Sequence, residues 1–284
     1  MDISQITADT LDLSLLRKGA GHKYDHGHAL VLTGGPGRTG AARLAARGAL
    51  RIGAGAVTLG VPPAAQLEVA TQITAVMLQR VADGTALTDL LKDSRISALC
   101  LGPGLGVGER ASELVAAALG APRLVLDADA ITILAQNTAL RDRLHSGAVL
   151  TPHGGEFARL APDLADLAEQ DRPNAKAEAT QQAAMRFGCV VLLKGPETVI
   201  AAPEGKVLRH CATEDRATPW LATAGAGDVL SGFITGLLAR GIAPLDAAAL
   251  ATYLHAAAAR QHGPGLIAED LPELLPQVLR QLGI

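Results

Sequence analysis

The sequence predicts an α/β protein with three layers, α/β/α, around a mostly parallel central sheet that ends in an antiparallel edge hairpin. Apolar strand-like runs alternate with helical patterns along most of the 284 residues, the β-α-β-α order of a parallel sheet. Hydrophobic residues make up 49% of the chain but aromatics only 2%, so the core is aliphatic, which suits strands covered on both faces by helices. Late in the chain, TVIAAP and KVLRH flank Glu204-Gly205 and read as two strands joined by a tight turn.

The first strand and its glycine turn are HALVLTGG (28–35), and a helical stretch runs from Thr39 to Ile52 with small residues on one face. Strands are then expected at 56–62, 74–79, 98–102, 123–129, 147–153 and 189–195, most of them separated by enough chain for a crossover helix. The polar segment 161–175 reads as a connection between two helices. After the hairpin the chain is mainly helical, over 225–240, 245–260 and 270–282. No repeat, low-complexity tract or linker interrupts this pattern, so residues 1–284 read as one domain with residues 1–20 as an N-terminal extension.

Composition narrows the function. A formal charge of −3 gives no basic footprint for nucleic acid, and so few aromatics offer no stacking surface for single strands. Cys100, Cys189 and Cys211 lie far apart without metal-ligand spacing, and the sparse, odd count suits a reducing compartment. The N-terminus lacks a basic start followed by an apolar block, and no run is long enough to cross a bilayer. The expectation is a cytoplasmic protein with no membrane and no nucleic-acid partner.

In open parallel sheets ligands gather at the carboxyl ends of the strands, and this chain places its unusual residues there six times. Gly34-Gly35-Pro36-Gly37-Arg38-Thr39-Gly40-Ala41, taken alone, reads more readily as a plain β-α turn than as a site. Gly102-Pro103-Gly104-Leu105-Gly106 resembles part of a dinucleotide fingerprint, but it follows an interior strand and lacks the partner acid, so a Rossmann site is rejected. Asp127 and Asp129 suit either helix caps or a site. His153, in Thr151-Pro152-His153-Gly154-Gly155-Glu156, is either structural or a ligand contact. Lys194 ends a fully apolar strand, where a lysine is costly unless it meets an anion or a carboxylate. Asp228 closes the series in Ala224-Gly225-Ala226-Gly227-Asp228. The glycines there permit either tight packing or close approach of a phosphate to a helix N-terminus. Asp228 either stabilises the helix dipole or accepts a proton from an attacking hydroxyl in phosphoryl transfer.

Together these residues resemble the ribokinase-like superfamily and, within it, the ADP- or ATP-dependent NAD(P)H-hydrate dehydratase family. The resemblance runs from about His22 to the last helices. It rests on Thr39-Gly40-Ala41 through Arg51-Ile52-Gly53-Ala54-Gly55, GPGLG at 102–106, Asp127-Ala128-Asp129, TPHGGEF at 151–157, Leu193-Lys194-Gly195 and LATAGAGDVLSG at 221–232. GAGD alone marks only the superfamily; GPGLG, DADA and TPHxxEF in this order mark the family. The resemblance implies a repair enzyme that dehydrates the S epimer of hydrated NADH or NADPH, with ADP or ATP as co-substrate and release of AMP or ADP and phosphate. Ala41, Gly104, Gly106 and His153 would contact the hydrated nucleotide. Lys194, Gly195, Pro196, Glu197, Thr198, Gly225, Ala226 and Gly227 would hold the adenine nucleotide. Asp228 would touch the substrate and act as the catalytic group, and Mg²⁺ would neutralise the phosphates, with ligands the sequence does not assign.

Two positions depart from the family pattern. Ala224-Gly225-Ala226 stands where Gly-Gly-Ser is usual and keeps small residues around the anion hole, and Lys23-Tyr24 stands where Lys-Gly often precedes the first strand. The family is often fused to an N-terminal epimerase domain, so a separate epimerase is expected here, and it often forms tetramers, so a homotetramer is expected. Two other functions fit the GAGD segment: a small-molecule kinase acting on a thiazole or pyrimidine alcohol, and a non-catalytic nucleotide-binding module. GPGLG and TPHGGEF weigh against the first. Asp228 weighs against the second, since binding alone gains nothing from a carboxylate beside phosphates.

Overall fold

A computed structural model describes residues 1–211 and 217–284. The strands are β1 (Ile3–Gln5), β2 (His28–Leu32), β3 (Ala56–Val61), β4 (Met77–Arg80), β5 (Ile96–Leu101), β6 (Leu124–Leu126), β7 (Ala148–Leu150), β8 (Val190–Leu193), β9 (Glu197–Ala201) and β10 (Val207–Cys211). The helices are α1 (Gly40–Arg51), α2 (Gln66–Ala70), α3 (Gly84–Leu90), α4 (Glu109–Ala118), α5 (Ala128–Gln136), α6 (Thr138–Arg141), α7 (Gly154–Leu160), α8 (Pro162–Ala168), α9 (Ala175–Phe187), α10 (Ala226–Ala239), α11 (Pro244–His262) and α12 (Asp270–Gln281).

All ten strands form one sheet in the order β1-β10-β9-β8-β7-β6-β5-β2-β3-β4. The pairs from β4 through β8 are parallel, and β9 is antiparallel to both β8 and β10, so the edge hairpin is where the sequence places it. The outermost strand was not expected. β1, from the first few residues, pairs parallel with β10 and covers the hairpin's outer edge. The segment 161–175, read as a polar connection, carries helix α8, started by Pro162 in its first turn and burying Leu164 and Ala165. The strand expected at 74–79 forms only from Met77.

In the central strands β2, β5 and β6 the period of two sorts residues by size between the two faces. Ala29, Val31, Ala98, Cys100, Val125 and Val149 join the cluster beneath α1, α10, α11 and α12. Leu30, Leu32, Leu99, Leu101, Leu124 and Leu126 join the cluster beneath α4, α5, α7 and α9. The small-residue face lets α10 lie close to the sheet with α1 against it. A Cβ on Gly232 would stand 2.1 Å from the Ala45 carbonyl oxygen, and one on Gly236 would stand 2.2 Å from Ile52 Cγ2. Every residue of α10 is buried except Gly227 and Asp228, in its first turn. Cys100 and Cys189 are buried, and burial pushes the Cys100 thiol up to about 12, out of reach of redox or metal chemistry.

Topology locates the crevice. From β2 the chain moves outward to β3 and β4, then returns to β5 on the other side of β2. At such a reversal the loops leaving the two central strands part and open a cleft at their carboxyl ends. Among the described residues no helix is long and apolar enough to cross a membrane.

Candidate active site

The loops after β2 and β5 meet at that reversal. A Cβ on Gly34 would stand 1.9 Å from the Gly104 carbonyl oxygen, and one on Gly104, at φ +64°, would stand 2.6 Å from the Arg38 carbonyl oxygen and 3.6 Å from Ala41 Cβ. Only glycine fits at either place. The first loop is held from outside by Glu68 of α2, whose carboxylate accepts from the Gly37 N–H at 2.8 Å and from the Thr39 hydroxyl. Ala41 thereby sits in the first turn of α1 beside Gly104.

The next strand end carries the two aspartates. Asp127 follows β6 and is 1% exposed, and Ala128 adopts a left-handed φ of +46°, a conformation that costs a non-glycine residue about a kilocalorie or more. Neither aspartate caps α5 through its side chain. Asp129 Oδ2 accepts the Gly106 N–H at 2.7 Å, tying the GPGLG loop to this turn. Asp127 Oδ1 accepts from Lys194 Nζ at 2.8 Å, and its Oδ2 accepts from Ser231 Oγ at 2.6 Å. The costly lysine at the end of β8 has therefore met a carboxylate. Burial alone would push its ammonium down, but the charges of Asp127 and Glu156 outweigh that and hold it above the usual lysine range.

His153 does cap its helix. Its Nδ1 accepts the Gly155 N–H at 3.0 Å, while Glu156, 5% exposed, returns a bond from Oε2 to the His153 N–H at 2.8 Å. Because Nδ1 accepts, the neutral ring carries its proton on Nε2, which lies 3.3 Å from Glu156 Oε1. The cap and the site reading are thus compatible: the ring is fixed in orientation and exposed at the strand end. Glu156 Oε2 is also 3.9 Å from Lys194 Nζ.

Asp228 sits in the first turn of α10, after Gly225 in a left-handed conformation at φ +89°. A Cβ on Gly225 would stand 2.6 Å from Leu44 Cδ1 and 2.9 Å from Ala268 Cβ. Burial, then the charge of Asp127, pushes the Asp228 carboxyl up to about 6; Lys194 acts against this, while Glu156 and Asp129 add to it. Asp127, Asp129, Glu156, Lys194 and Asp228 therefore share one electrostatic environment, built from the ends of β6, β7 and β8 and the start of α10.

A cleft of about 460 Å³ opens beside this cluster, lined by Lys194, Gly195, Pro196 and Thr198, by Ala226 and Gly227, and on the far side by His210, Thr252 and His255. Of the residues expected to hold a nucleotide, Gly225 and Glu197 are not on this lining, Gly225 being packed against Leu44 and Ala268. Glu197 is turned elsewhere. Its carbonyl accepts from Lys176 of α9, and its carboxylate lies 3.9 Å from Arg209. Lys176 also reaches the Lys194 carbonyl at 3.3 Å, bracing the 194–197 turn from behind. His255 is buried, and burial pushes its imidazole down to about 4, so it is neutral and donates from Nε2 to the Ala226 carbonyl at 2.8 Å.

Sequence reading missed Ser231, Lys176, His210, Thr252 and His255 as parts of the site. Ser231 had a usable signal, since it lies four residues after Gly227 on one helix face and its hydroxyl also donates to the Gly227 carbonyl at 3.1 Å. Lys176 stands in the first turn of α9 behind the 194–197 turn, and His210, Thr252 and His255 come from within β10 and α11; only tertiary packing brings them to the site.

Comparison with known proteins agrees with this geometry. The family model described as NAD(P)H-hydrate dehydratase matches residues 29–277. The chain is 41% identical over 283 residues to a bifunctional NAD(P)H-hydrate repair enzyme of Moorella thermoacetica, a match covering 94% of this chain and 52% of the relative. It is 35% identical to an ADP-dependent (S)-NAD(P)H-hydrate dehydratase of Neisseria meningitidis serogroup B, covering 84% of this chain and 78% of that protein. The chain spans about half the length of the bifunctional relatives. Among solved structures, the ADP/ATP-dependent NAD(P)H-hydrate dehydratase of Bacillus subtilis co-crystallised with ATP/Mg²⁺ superposes with a TM-score of 0.82 at 28% identity, covering 99% of each chain. A cleft beside the carboxyl end of β8, one carboxylate at a glycine-bounded helix start and a matching family model over most of the sequence lead to one assignment: the chain belongs to the NAD(P)H-hydrate dehydratase family.

Proposed function

We propose that this protein restores hydrated NADH and NADPH, converting the S epimer back to the reduced cofactor at the expense of ADP or ATP. The observation that supports this most directly is the position of Asp228: a carboxylate shifted towards neutrality, at an open helix N-terminus, beside a cleft of nucleotide size. The relative in Neisseria meningitidis is named for the same ADP-dependent reaction.

The chemistry answers the substrate's difficulty. The hydrate carries a hydroxyl on the ring carbon next to nitrogen, and hydroxide leaves poorly. Asp228 takes the hydroxyl proton as the oxygen attacks the terminal phosphorus of the nucleotide, whose bridging P–O bond breaks to release AMP or ADP. The N–H groups at Gly225–Gly227 would stabilise the transferring charge. The ring nitrogen's lone pair then expels phosphate with cleavage of the C–O bond, and loss of a proton from the neighbouring carbon restores the double bond. Ala41, Gly104, Gly106 and His153 would hold the hydrated ring side. Lys194, Gly195, Pro196, Thr198, Ala226 and Gly227 would hold the adenine nucleotide, with Glu197 contributing through its backbone.

Mg²⁺ would neutralise the phosphates. The donor set fits an ion that arrives on the nucleotide: among the described residues no group of three His, Cys, Asp or Glu could hold a metal, and Mg²⁺ commonly keeps several waters and takes only one or two carboxylates. Glu156, buried with Oε2 3.9 Å from Lys194 Nζ, would be the carboxylate available to such an ion. An epimerase activity would be needed to feed the R epimer into this site.

The test is incubation with S-hydrated NADH and either ADP or ATP, following nicotinamide absorbance and free phosphate. One phosphate released per cofactor restored supports the dehydratase. A stable phosphate ester with no absorbance recovery replaces it with the kinase reading.

A further inference from the structure

We propose that Lys176 is a positioning residue for the adenine nucleotide: from the opposite layer of the fold its ammonium turns the Lys194–Gly195 peptide so that the Gly195 N–H faces the cleft and donates to a phosphate. The inference rests on the dehydratase reading only for the identity of that nucleotide.

Lys176 does not line the cleft. It stands in the first turn of α9, whose Ala177, Ala179, Ala183 and Ala184 join the cluster on one face of the sheet. The helical wall of the cleft comes from the other layer, from α10 and α11. The 194–197 turn stands between the two, with Lys194, Gly195 and Pro196 on the cleft side. Lys176 Nζ donates across to the Lys194 carbonyl at 3.3 Å and to the Glu197 carbonyl, and the Gly195 carbonyl accepts from the Thr198 hydroxyl at 3.1 Å. The donors of the turn are less fully spent. The Lys194 N–H binds the Pro152 carbonyl at 2.8 Å and Pro196 has none, but among the described residues nothing accepts the Gly195 N–H.

Peptide geometry joins these facts. The Lys194–Gly195 peptide is trans, so its C=O and N–H point opposite ways in one plane. Holding the Lys194 carbonyl towards α9 sends the Gly195 N–H towards the cleft. Glycine makes such a hold necessary. Gly195 has a φ of +157°, and a Cβ there would stand 2.8 Å from Lys176 Nζ. The freedom that admits this conformation also lets the peptide rotate unless something pins it. The pin is a costly one: a half-buried ammonium bonded to neutral carbonyls, pushed below the usual lysine range by burial against the opposing charge of Glu197. An apolar side chain would fill the same space without that cost. A backbone N–H left free beside a cleft of nucleotide size is a donor suited to a phosphate oxygen.

The experiment compares wild type with Lys176→Met, which keeps the stem and removes the donors, and Lys176→Arg, which restores donors. Equilibrium titration with ADP and with ATP reads the contact without turnover. Steady-state kinetics gives KM for the nucleotide and for S-hydrated NADH, and thermal unfolding reads the fold. In Lys176→Met, Kd and KM for ADP should rise about ten-fold while KM for the hydrate moves less than about two-fold, with part of the loss recovered in Lys176→Arg. Lys176→Gln, with one shorter donor, gives the same comparison should the methionine variant not fold, and its rise should be smaller but in the same direction. A lower melting temperature with unchanged nucleotide affinity, or equal rises in both KM values, overturns the proposal and leaves Lys176 a packing residue. A wild type that binds neither nucleotide overturns it as well. Nucleotide affinity that falls in Lys176→Met, in a protein whose wild type shows no hydrate-dependent phosphate release, sinks the dehydratase reading alone and leaves the role of Lys176 standing.

Discussion

Lys194 and Asp127 close a 2.8 Å ion pair across the end of β7, joining the strand on either side of it. Thr151, at the end of β7 itself, lies beneath this bridge, with its hydroxyl 3.5 Å from Ser231 Oγ. Ser231 completes the frame by donating to Asp127 from α10. One buried carboxylate thus fixes a lysine and helix α10 relative to each other.

Breaking that pair on one side should be expensive. Asp127→Ala leaves the enclosed Lys194 ammonium without its partner, and the expected loss is about 3 kcal/mol. Asp127→Ala combined with Lys194→Met should recover part of it. Thermal unfolding of both variants measures the difference; a double variant no more stable than the single one would mean that the pair is not what the fold depends on here.

Asp228→Asn should fold and lose turnover by about 10²–10⁴-fold, the range a positioned base contributes. Phosphate release with S-hydrated NADH and ADP measures it, with nucleotide binding as the check that the cleft survives. A rate within a few-fold of wild type would remove Asp228 from the chemistry.

The same carboxylate sets two pH dependences of opposite sense. As a base it must be ionised, so kcat/KM, which reports the free protein, should fall about ten-fold per unit as the pH drops below about 6. For stability the sign reverses. The folded state binds this proton more tightly than the unfolded chain, whose carboxyl titrates near 3.8, so the contribution is fully present below that value and is lost as pH rises through about 6. Asp228→Asn should therefore be more stable than wild type at pH 7.5, by on the order of 2 kcal/mol, and the gain should vanish near pH 4. Melting curves at the two pH values test this.

Gly232→Ala should damage the fold without touching the chemistry directly. Its new methyl would meet the Ala45 carbonyl at 2.1 Å, and α1 and α10 would have to separate, at a cost of about 3 kcal/mol. Denaturant unfolding of the variant checks it; a loss under half a kilocalorie would show that the two helices can part cheaply.

Much of this arrangement is legible in the sequence because strands buried on both faces are continuous apolar runs, and the site lies in the loops at the carboxyl ends of those runs. Gly104, His153, Lys194 and Asp228 stand out as residue types that an apolar strand or a helix start does not need. Other parts are not legible for equally physical reasons. β1 is three residues, Ile-Ser-Gln, with no alternation to mark it, and it exists because β10 offers an unpaired edge. α8 hides in a polar stretch because only one face of it is buried. Lys176 reads as a solvent-facing lysine in an alanine-rich helix, yet its ammonium finds two carbonyls of the 194–197 turn. Glu197 shares a motif with true lining residues, but strand alternation turns its side chain towards Arg209.

The enclosure of α10 has a kinetic corollary. A helix walled in by α1, α11 and the sheet cannot swing its first turn to greet a ligand, so the carboxylate proposed as the base is a stationary post. Productive alignment of two separate cosubstrates must then come from how each diffuses in and seats itself, and the order in which they arrive should be readable in initial-rate patterns rather than in any rearrangement of the scaffold.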